Sequence, residues 1–275
     1  MKLSTCKKIY PTSSQPTRFY GLPKLRKKRD AGAPPHFRPT VSSIGAYNYN
    51  LSKYLASILG PYILDKHTTQ DSFSFVNEFT NIQSQNQFLI SFDVESLFTN
   101  TPLSETIDLA VETIFKHNPE FPISKDNLRE LFTFAASQTH FLFNGLFYDQ
   151  CDGVAMGSPL APILANLFMG YHEEQWIGNY KDSQLLCYRR YVDDTFCLFH
   201  NEQDAMKFLS YLNSGHPNIR FTFETQLNGK LPFQDVQVDN SGASCITSIY
   251  HKSTYTGLLT NFLSFTCSKY HTWNK

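Results

Sequence analysis

The six cysteines of this 275-residue chain form no CxxC pair and no Cys/His pair at metal-ligand spacing. This scatter argues against a disulfide framework and a zinc site, and it predicts reduced thiols in an intracellular protein. The sequence also lacks an opening signal peptide and any apolar run of membrane-spanning length, so no membrane association is expected. A Gly-Lys-Ser/Thr phosphate loop is missing too, which excludes a nucleotide site of the Walker type.

Net charge is the next thing the chain lacks, because 24 basic residues balance 24 acidic ones. A net charge of zero does not suggest a general polyanion binder. The distribution is uneven, however: residues 1–38 contain ten Lys or Arg and one acid, and the remaining chain contains 14 basic and 23 acidic residues. This asymmetry predicts a basic lobe that faces a polyanion and an acidic region that holds cations.

The composition, 41% hydrophobic and 15% aromatic, is that of a globular chain with one large domain or two lobes. Apolar periodicity and turn residues predict the elements. Helices are expected over residues 47–59, 72–82, 104–115, 124–137, the later part of 151–176, and 202–213. Strands are expected over 36–43, 88–98, 218–226, 230–239 and 243–252, with a hairpin over 139–150. This order predicts an α+β fold, in which helices back one face of an antiparallel sheet.

Two adjacent carboxylates, Asp193 and Asp194, interrupt an aromatic and β-branched run at residues 187–199. The pattern predicts a strand, a tight turn and a second strand, with both acids at the turn. Neighbouring carboxylates repel unless a cation lies between them, and hard oxygen ligands suit Mg²⁺ or Mn²⁺. An exposed hairpin turn explains residues 191–194 equally well, because two adjacent aspartates are common in turns.

Four further stretches contain candidate binding residues. The predicted strand 88–98 presents Asp93 at its exit, and Pro39 forces Arg38 into an extended conformation suited to gripping a triphosphate. Gly153 and Gly157 precede a helix and allow close approach of a backbone. The basic segment 24–29 is interpreted either as a solvated loop or nuclear-import signal, or as a polyanion-binding segment.

Taken together, these motifs resemble those of reverse transcriptases. The matching stretches, in chain order, are FYGLPK, RPTVSS, the strand ending in Asp93 with Phe98 five residues later, GVAMGSPLAP (153–162), YVDD (191–194) and LPFQDVQV (231–238). The sequences of these motifs are most similar to those of Penelope-like retroelements, which are related to telomerase. The resemblance implies a right-hand polymerase with fingers and palm.

The resemblance also implies roles for individual residues. Asp93 and Asp193 would hold two Mg²⁺ (or Mn²⁺) ions, with Asp194 as a weaker ligand and the Val94 carbonyl as another. The implied nucleotide-binding residues are Lys24, Arg38, Phe98, Met156 and Gly157, with Phe98 excluding a ribose 2′-hydroxyl. The implied template and primer contacts are Arg26, Lys27, Lys28, Arg29, Ser158, Pro159, Tyr191, Leu231 and Phe233. Lys230 is the candidate general acid, or else a solvated turn residue.

Alternatives stay open at two more of these positions, since Phe98 could belong to the core and Arg38 could pair structurally with a carboxylate. Met156 departs from the Gln of many reverse transcriptases, although Met is typical of the Penelope-like group.

The implied activity is primer extension on an RNA template with deoxynucleotides, the primer being DNA or target-site DNA. An RNA-dependent RNA polymerase is disfavoured by Phe98. The rival interpretation is an inactive polymerase-fold fragment that binds nucleic acid.

The expected division of the chain follows from the motifs. Residues 1–18 form a poorly ordered segment, residues 19–88 the fingers, and residues 89–252 the palm with finger-like helices and a hairpin around 104–150. Residues 253–275 begin a thumb that is largely absent, so the chain is expected to be truncated. A nuclear location is expected from segment 24–29 and from the element family.

Overall fold

The computed structural model describes residues 9–11, 14–23, 33–64, 66–79, 87–137, 140–182, 185–242, 245–252 and 255. The first half contains β1 (Thr17–Pro23), β2 (Phe37–Ser42), α1 (Tyr49–Leu59), α2 (Ser72–Phe79), β3 (Phe88–Val94), α3 (Leu97–Asn100), α4 (Leu103–His117) and α5 (Lys125–Ser137). The second half contains β4 (His140–Phe143), β5 (Leu146–Asp149), α6 (Ala161–Asn179), β6 (Cys187–Tyr191), β7 (Asp194–Phe199), α7 (Glu202–Gly215), β8 (Phe221–Thr225), β9 (Lys230–Phe233), β10 (Val236–Asp239) and β11 (Ile246–Ile249). The predicted α+β order is confirmed, except that the strand predicted over 88–98 ends at Val94 and the short helix α3 begins at Leu97.

A four-stranded antiparallel sheet, in the order β6-β7-β3-β8, forms the centre of the fold. Because side chains alternate along a strand, β3 directs Ile90 and Phe92 to one face and Leu89 to the other. Ile90 and Phe92 join the larger core with residues of α1, α4, α5, α6 and α7. The expected helix layer on one face of the sheet is therefore present.

The opposite face of this sheet has a second layer that the sequence did not predict. Leu89 and Phe196 pack there in a smaller core with Phe75 of α2 and with residues of β9 and β10. Asp93 follows Leu89 by four residues, and Asp194 precedes Phe196 by two, so alternation puts both acids on this second face. The layer covers the sheet beside the acids, and Asp93 and Asp194 are themselves exposed.

A second sheet, in the order β2-β1-β4-β5, joins the N-terminal strands to the later hairpin. β1 pairs antiparallel with β2 and parallel with β4, where Thr17 is opposite Phe141. The predicted turn at Asn144 and Gly145 is confirmed, with left-handed φ values of 49° and 79°. β1 begins at Thr17, inside the segment expected to be poorly ordered; residues 1–8, 12–13 and 24–32 lie outside the described part.

The prediction of one continuous strand over residues 230–239 is wrong. β9 and β10 form a hairpin that turns at Gln234, whose φ is 55°, and β11 completes a separate three-stranded sheet. All of Leu231, Phe233, Val236 and Val238 are buried in the smaller core. A straight strand would put the first and second pairs on opposite faces, so burying all four requires the turn.

Predicted helix ends agree with α1, α4, α5 and α7 within two residues. The predicted helix 72–82 is described only as far as Phe79, because residues 80–86 lie outside the described part. In the ranges described above, every helix is too short or too polar to cross a membrane.

Candidate active site

Three carboxylates meet where β3 ends and the β6–β7 hairpin turns. Asp93 and Asp194 are direct partners across the β3–β7 ladder. The Val94 N–H donates to the Asp193 carbonyl at 2.9 Å, so the turn lies against the end of β3. The neighbouring strands β3 and β7 therefore bring Asp93 to the Asp193-Asp194 pair. The residue opposite Asp93 in register is Asp194, and Asp193 lies in the turn beside them.

The turn is held in an unusual backbone conformation. Val192 has a φ of 57°, in the left-handed region that β-branched residues rarely adopt. Buried Thr195 connects the two strands beneath the acids, because its hydroxyl donates to the Phe92 carbonyl at 3.0 Å and accepts from the Phe92 N–H at 3.2 Å. Residues in such regions persist only where their surroundings enforce them, and they concentrate at functional sites.

Negative charge is concentrated at this site. The pKa of Asp194 is raised to about 6, first by partial desolvation of its carboxyl group and then by the charges of Asp193 and Asp93. The residue is exposed by area, yet protein atoms around the carboxyl group limit its hydration. Lys252, just after β11, opposes the shift. Sequence reasoning missed Lys252, since nothing in the local pattern around it signals a nearby carboxylate.

The glycine loop before α6 packs against β2 on one side and against α3 on the other. The Val41 N–H donates to the Met156 carbonyl at 2.9 Å, and the Ser43 hydroxyl donates to the Gly157 carbonyl at 2.9 Å. A Cβ at Gly157, whose φ is 113°, would lie 2.4 Å from the Val41 carbonyl oxygen. The predicted close approach is confirmed, and the backbone that approaches is the chain's own β2.

The same loop also contacts α3, which follows Asp93. The Val154 N–H donates to the Phe98 carbonyl at 2.7 Å, and a Cβ at Gly153 would lie 2.6 Å from the Thr99 carbonyl oxygen. The loop therefore connects the strand that carries Arg38 to the short helix that carries Phe98. Both glycines are required for this packing, because each adopts a positive φ within contact distance of another backbone.

The other predicted site residues within the described part lie on several elements. Arg38 is exposed on β2 opposite Leu22, and Phe98 is partly buried against the larger core. Tyr191 is exposed opposite Asp194. Ser158 and Pro159 are half-buried in the loop. The segment with Lys24, Arg26, Lys27, Lys28 and Arg29 lies outside the described residues.

Three residues predicted around the β9–β10 hairpin have clear contacts. Lys230 Nζ lies 3.1 Å from Asp239 Oδ2 on the neighbouring strand. Leu231 and Phe233 are buried in the smaller core. A primer contact from these two positions would therefore come from the backbone. The roles assigned to all three residues stay predictions.

A separate polar cluster joins α4, α6 and the end of α7. His172 Nε2 and His216 Nε2 lie 2.9 and 3.1 Å from the two carboxylate oxygens of Glu105. The three ligand-type atoms lie within 4.8 Å of one another, a spacing that a metal ion could bridge. The Asn218 N–H, however, donates to His216 Nδ1, which leaves the proton of the neutral ring on Nε2. The cluster is therefore explained as two imidazoles donating to one carboxylate.

This cluster predicts acid sensitivity of the fold. Desolvation lowers the pKa of His172, against the opposing effect of Glu105. The unfolded chain then binds the proton more readily, so stability falls as pH drops below about 6.5. We expect His172→Gln to lose less unfolding free energy than the wild type between pH 7.5 and 5.5, in urea titrations. An equal loss in both proteins would contradict this.

Comparisons with known proteins agree with this geometry. A family model described as reverse transcriptase (RNA-dependent DNA polymerase) matches residues 25–225. A comparison with curated protein sequences gave no significant match. Among solved structures, apo telomerase from Candida tropicalis truncated from its C-terminal domain aligns with a TM-score of 0.56 and 13% identity, over 86% of this chain and 56% of that one.

Two more solved structures share the fold. Telomerase from Candida tropicalis in complex with a TWJ fragment of telomeric RNA aligns with a TM-score of 0.61 and 12% identity, over 89% of this chain and 46% of that one. A structure described as RNA dependent RNA polymerase, vp4, dsRNA aligns with a TM-score of 0.57 and 14% identity, over 87% and 23%. The chain thus spans about half the length of these telomerases and a smaller part of the viral protein. Identities this low show the polymerase fold alone.

Proposed function

Since the chain belongs to the reverse transcriptase (RNA-dependent DNA polymerase) family, we propose that it extends a primer on an RNA template with deoxynucleoside triphosphates. The observation that carries the proposal is the register of β3 and β7, which puts Asp93 directly opposite Asp194, with Asp193 in the adjoining turn. Three carboxylates converging at the exposed ends of two central strands are an unfavourable arrangement unless a cation is bound there.

The donor set fits divalent metal ions with a preference for oxygen. Asp93, Asp193 and Asp194 offer carboxylate oxygens, the ligand type that Mg²⁺ and Mn²⁺ take in nucleotidyl-transfer sites. The raised pKa of Asp194 supports this fit, because the charges of the other two acids are among its causes. When bound, two such ions would supply Lewis-acid polarisation of the reacting oxygens.

The chain's own residues would orient the substrates. Arg38 is exposed on β2, and a guanidinium can donate in parallel to two phosphate oxygens. The loop that includes Met156 and Gly157 packs on β2 and α3, so it would form a rigid support for the nucleotide. Phe98 lies on α3, the short helix that follows Asp93 and β3. We propose that its ring excludes a ribose 2′-hydroxyl.

Primer extension by the purified chain on poly(rA)/oligo(dT) tests the proposal, with Mg²⁺ or Mn²⁺ and with EDTA as the metal-free arm. Metal-dependent incorporation of dTTP is the expected result. RNA binding that depends on salt but ignores Mg²⁺, without incorporation, would instead support a nucleic-acid-binding module. Comparing dTTP with UTP in the same assay separates a DNA polymerase from an RNA polymerase.

Phe98→Val is expected to raise the incorporation of ribonucleotides relative to deoxynucleotides by roughly tenfold to a hundredfold, the range for contacts with a single substrate group. The smaller side chain would leave room for the 2′-hydroxyl. Competition between dTTP and UTP measures the ratio. Phe73→Val on α2 is the matched control, since 82% of the Phe73 side chain is already accessible. A folded Phe98→Val protein with unchanged selectivity would show that Phe98 serves only the core.

We further propose that the chain derives from a Penelope-like retroelement and acts in the nucleus. The support is in the sequence: the YVDD turn, Met156 in the glycine loop and the basic segment 24–29. A fluorescent fusion of the full chain, compared with one in which Lys27 and Lys28 are replaced by Ala, tests the location. Nuclear accumulation that needs the two lysines is the expected result.

A further inference from the structure

Arg190, three residues before Asp193, is completely buried directly behind the turn. Its Nε donates to Glu173 Oε1 on α6 at 2.7 Å. Its Nη1 donates to Asn166 Oδ1 at 2.9 Å and to the Val192 carbonyl at 3.0 Å. One guanidinium therefore joins the long helix α6 to the backbone of the turn that carries Asp193.

Glu173 and the backbone of Arg190 are held in place by further hydrogen bonds. Glu173 Oε1 also accepts from the Tyr188 hydroxyl at 2.6 Å. The backbone of Arg190 is held from the other side, since its N–H donates to the His67 carbonyl at 2.7 Å and its carbonyl accepts from the Thr69 N–H at 2.9 Å. Side chain and backbone are both constrained, so the position of Nη1 is well determined.

Stability alone does not account for this arrangement. Desolvating an arginine and a glutamate costs as much as their attraction returns, and a well-packed apolar pair is often equally stable. What an apolar pair cannot do is donate to the Val192 carbonyl. That carbonyl belongs to the residue with a φ of 57°, and its peptide group leads directly into Asp193. The carbonyl of Asp193 in turn accepts from the Val94 N–H. Asp193 thus has a fixed peptide group on each side.

We propose that Arg190 is a positioning residue: by donating to the Val192 carbonyl it holds the left-handed turn and so sets where the Asp193 carboxylate meets the divalent metal. The inference rests on the proposed function. In this role Arg190 contacts neither substrate nor metal. It acts only through the backbone before Asp193.

Two variants separate positioning from folding. Arg190→Lys keeps a positive charge beside Glu173 but has a single ammonium group, which cannot reproduce the fork that reaches Glu173, Asn166 and Val192 together. The double variant Arg190→Met with Glu173→Gln removes the buried charges as a pair and keeps an acceptor for Tyr188. The matched control is Arg189→Lys, because neighbouring Arg189 pairs with Glu78 at the surface.

The readouts are melting temperature, Mn²⁺ binding by electron paramagnetic resonance, and steady-state primer extension. Both Arg190 variants are expected to stay folded, to bind Mn²⁺ about tenfold more weakly, and to lose about 10- to 100-fold in kcat, the loss typical of a displacement near 1 Å. The KM for primer–template should change by less than about twofold. Arg189→Lys should match the wild type.

Unchanged Mn²⁺ affinity in the folded Arg190 variants overturns the inference, as does a fall in kcat that only follows the folded fraction. The Mn²⁺ measurement needs no turnover. If the wild type binds Mn²⁺ but incorporates no nucleotide, the proposed function fails while the role of Arg190 is still decided by binding. If the wild type binds no Mn²⁺ at the three acids, both fail.

Discussion

Asp193→Asn is expected to abolish metal-dependent primer extension, with a loss on the order of a thousandfold or more. The substitution keeps size and shape but removes one of the charged oxygen ligands. Metal polarisation is worth several kcal/mol in such reactions, and each 1.36 kcal/mol is a tenfold change in rate. The main-chain carbonyl of residue 193 still accepts from the Val94 N–H, so the hairpin should keep its place against β3.

The same variant should not be less stable than the wild type when metal is absent. The charge of Asp193 is one of the causes that raise the pKa of Asp194, so removing it relieves repulsion between the two carboxylates. We therefore expect an equal or higher melting temperature in EDTA, and template binding with an unchanged salt dependence. Asp126→Asn on the exposed surface of α5 is the control and should keep full activity.

Parallel loss of activity and folding in Asp193→Asn would mean that the acid pair is structural. Full activity in the variant would mean that the reaction does not depend on this carboxylate. Asp93→Asn and Asp194→Asn extend the test. Asp93→Asn is expected to lose about as much activity as Asp193→Asn, and Asp194→Asn less, since we propose that Asp194 is the weaker metal ligand of the three.

Gly157→Ala is expected to be the most damaging of the small substitutions. The new Cβ would lie 2.4 Å from the Val41 carbonyl oxygen and 3.1 Å from its carbon, both backbone atoms that cannot rotate away. A φ of 113° adds strain of about 1–3 kcal/mol for a residue with a Cβ. Separating the loop from β2 would also lose the hydrogen bonds at Val41 and Ser43, each worth about 1 kcal/mol.

Together these effects predict a loss of about 2–5 kcal/mol in unfolding free energy. Nucleotide incorporation should fall as well, because the loop would no longer be held on β2. Gly178→Ala is the matched control: nothing lies within 4 Å of its Cβ position in helix α6, and the change should stabilise the protein by up to about 1 kcal/mol. Urea titrations of both variants measure the difference. Equal stabilities would show that the loop moves freely from β2.

Local patterns were sufficient for most elements. Aromatic and β-branched runs predicted β3, β6 and β7, the apolar spacing predicted α1, α4, α5 and α7, and Asn144-Gly145 predicted the β4–β5 turn. These features depend on residues a few positions apart. The prediction for residues 230–239 failed because it used local alternation alone. Leu231 and Phe233 alternate out of phase with Val236 and Val238, and only their packing against β3 and β7 shows that all four side chains share one core.

By itself, the sequence determined which chemistry was available: an aspartate at the exit of a buried strand, two more at a tight turn, and glycines before a long helix. The tertiary structure decided the arrangement. It chose Asp194 as the direct partner of Asp93, joined β1 to β4, and brought Arg190 to the back of the turn. Asp93 and Asp194 are 101 positions apart in the sequence. Such pairings depend on the register between strands and on which helix covers which face, and neither leaves a signal in the local periodicity.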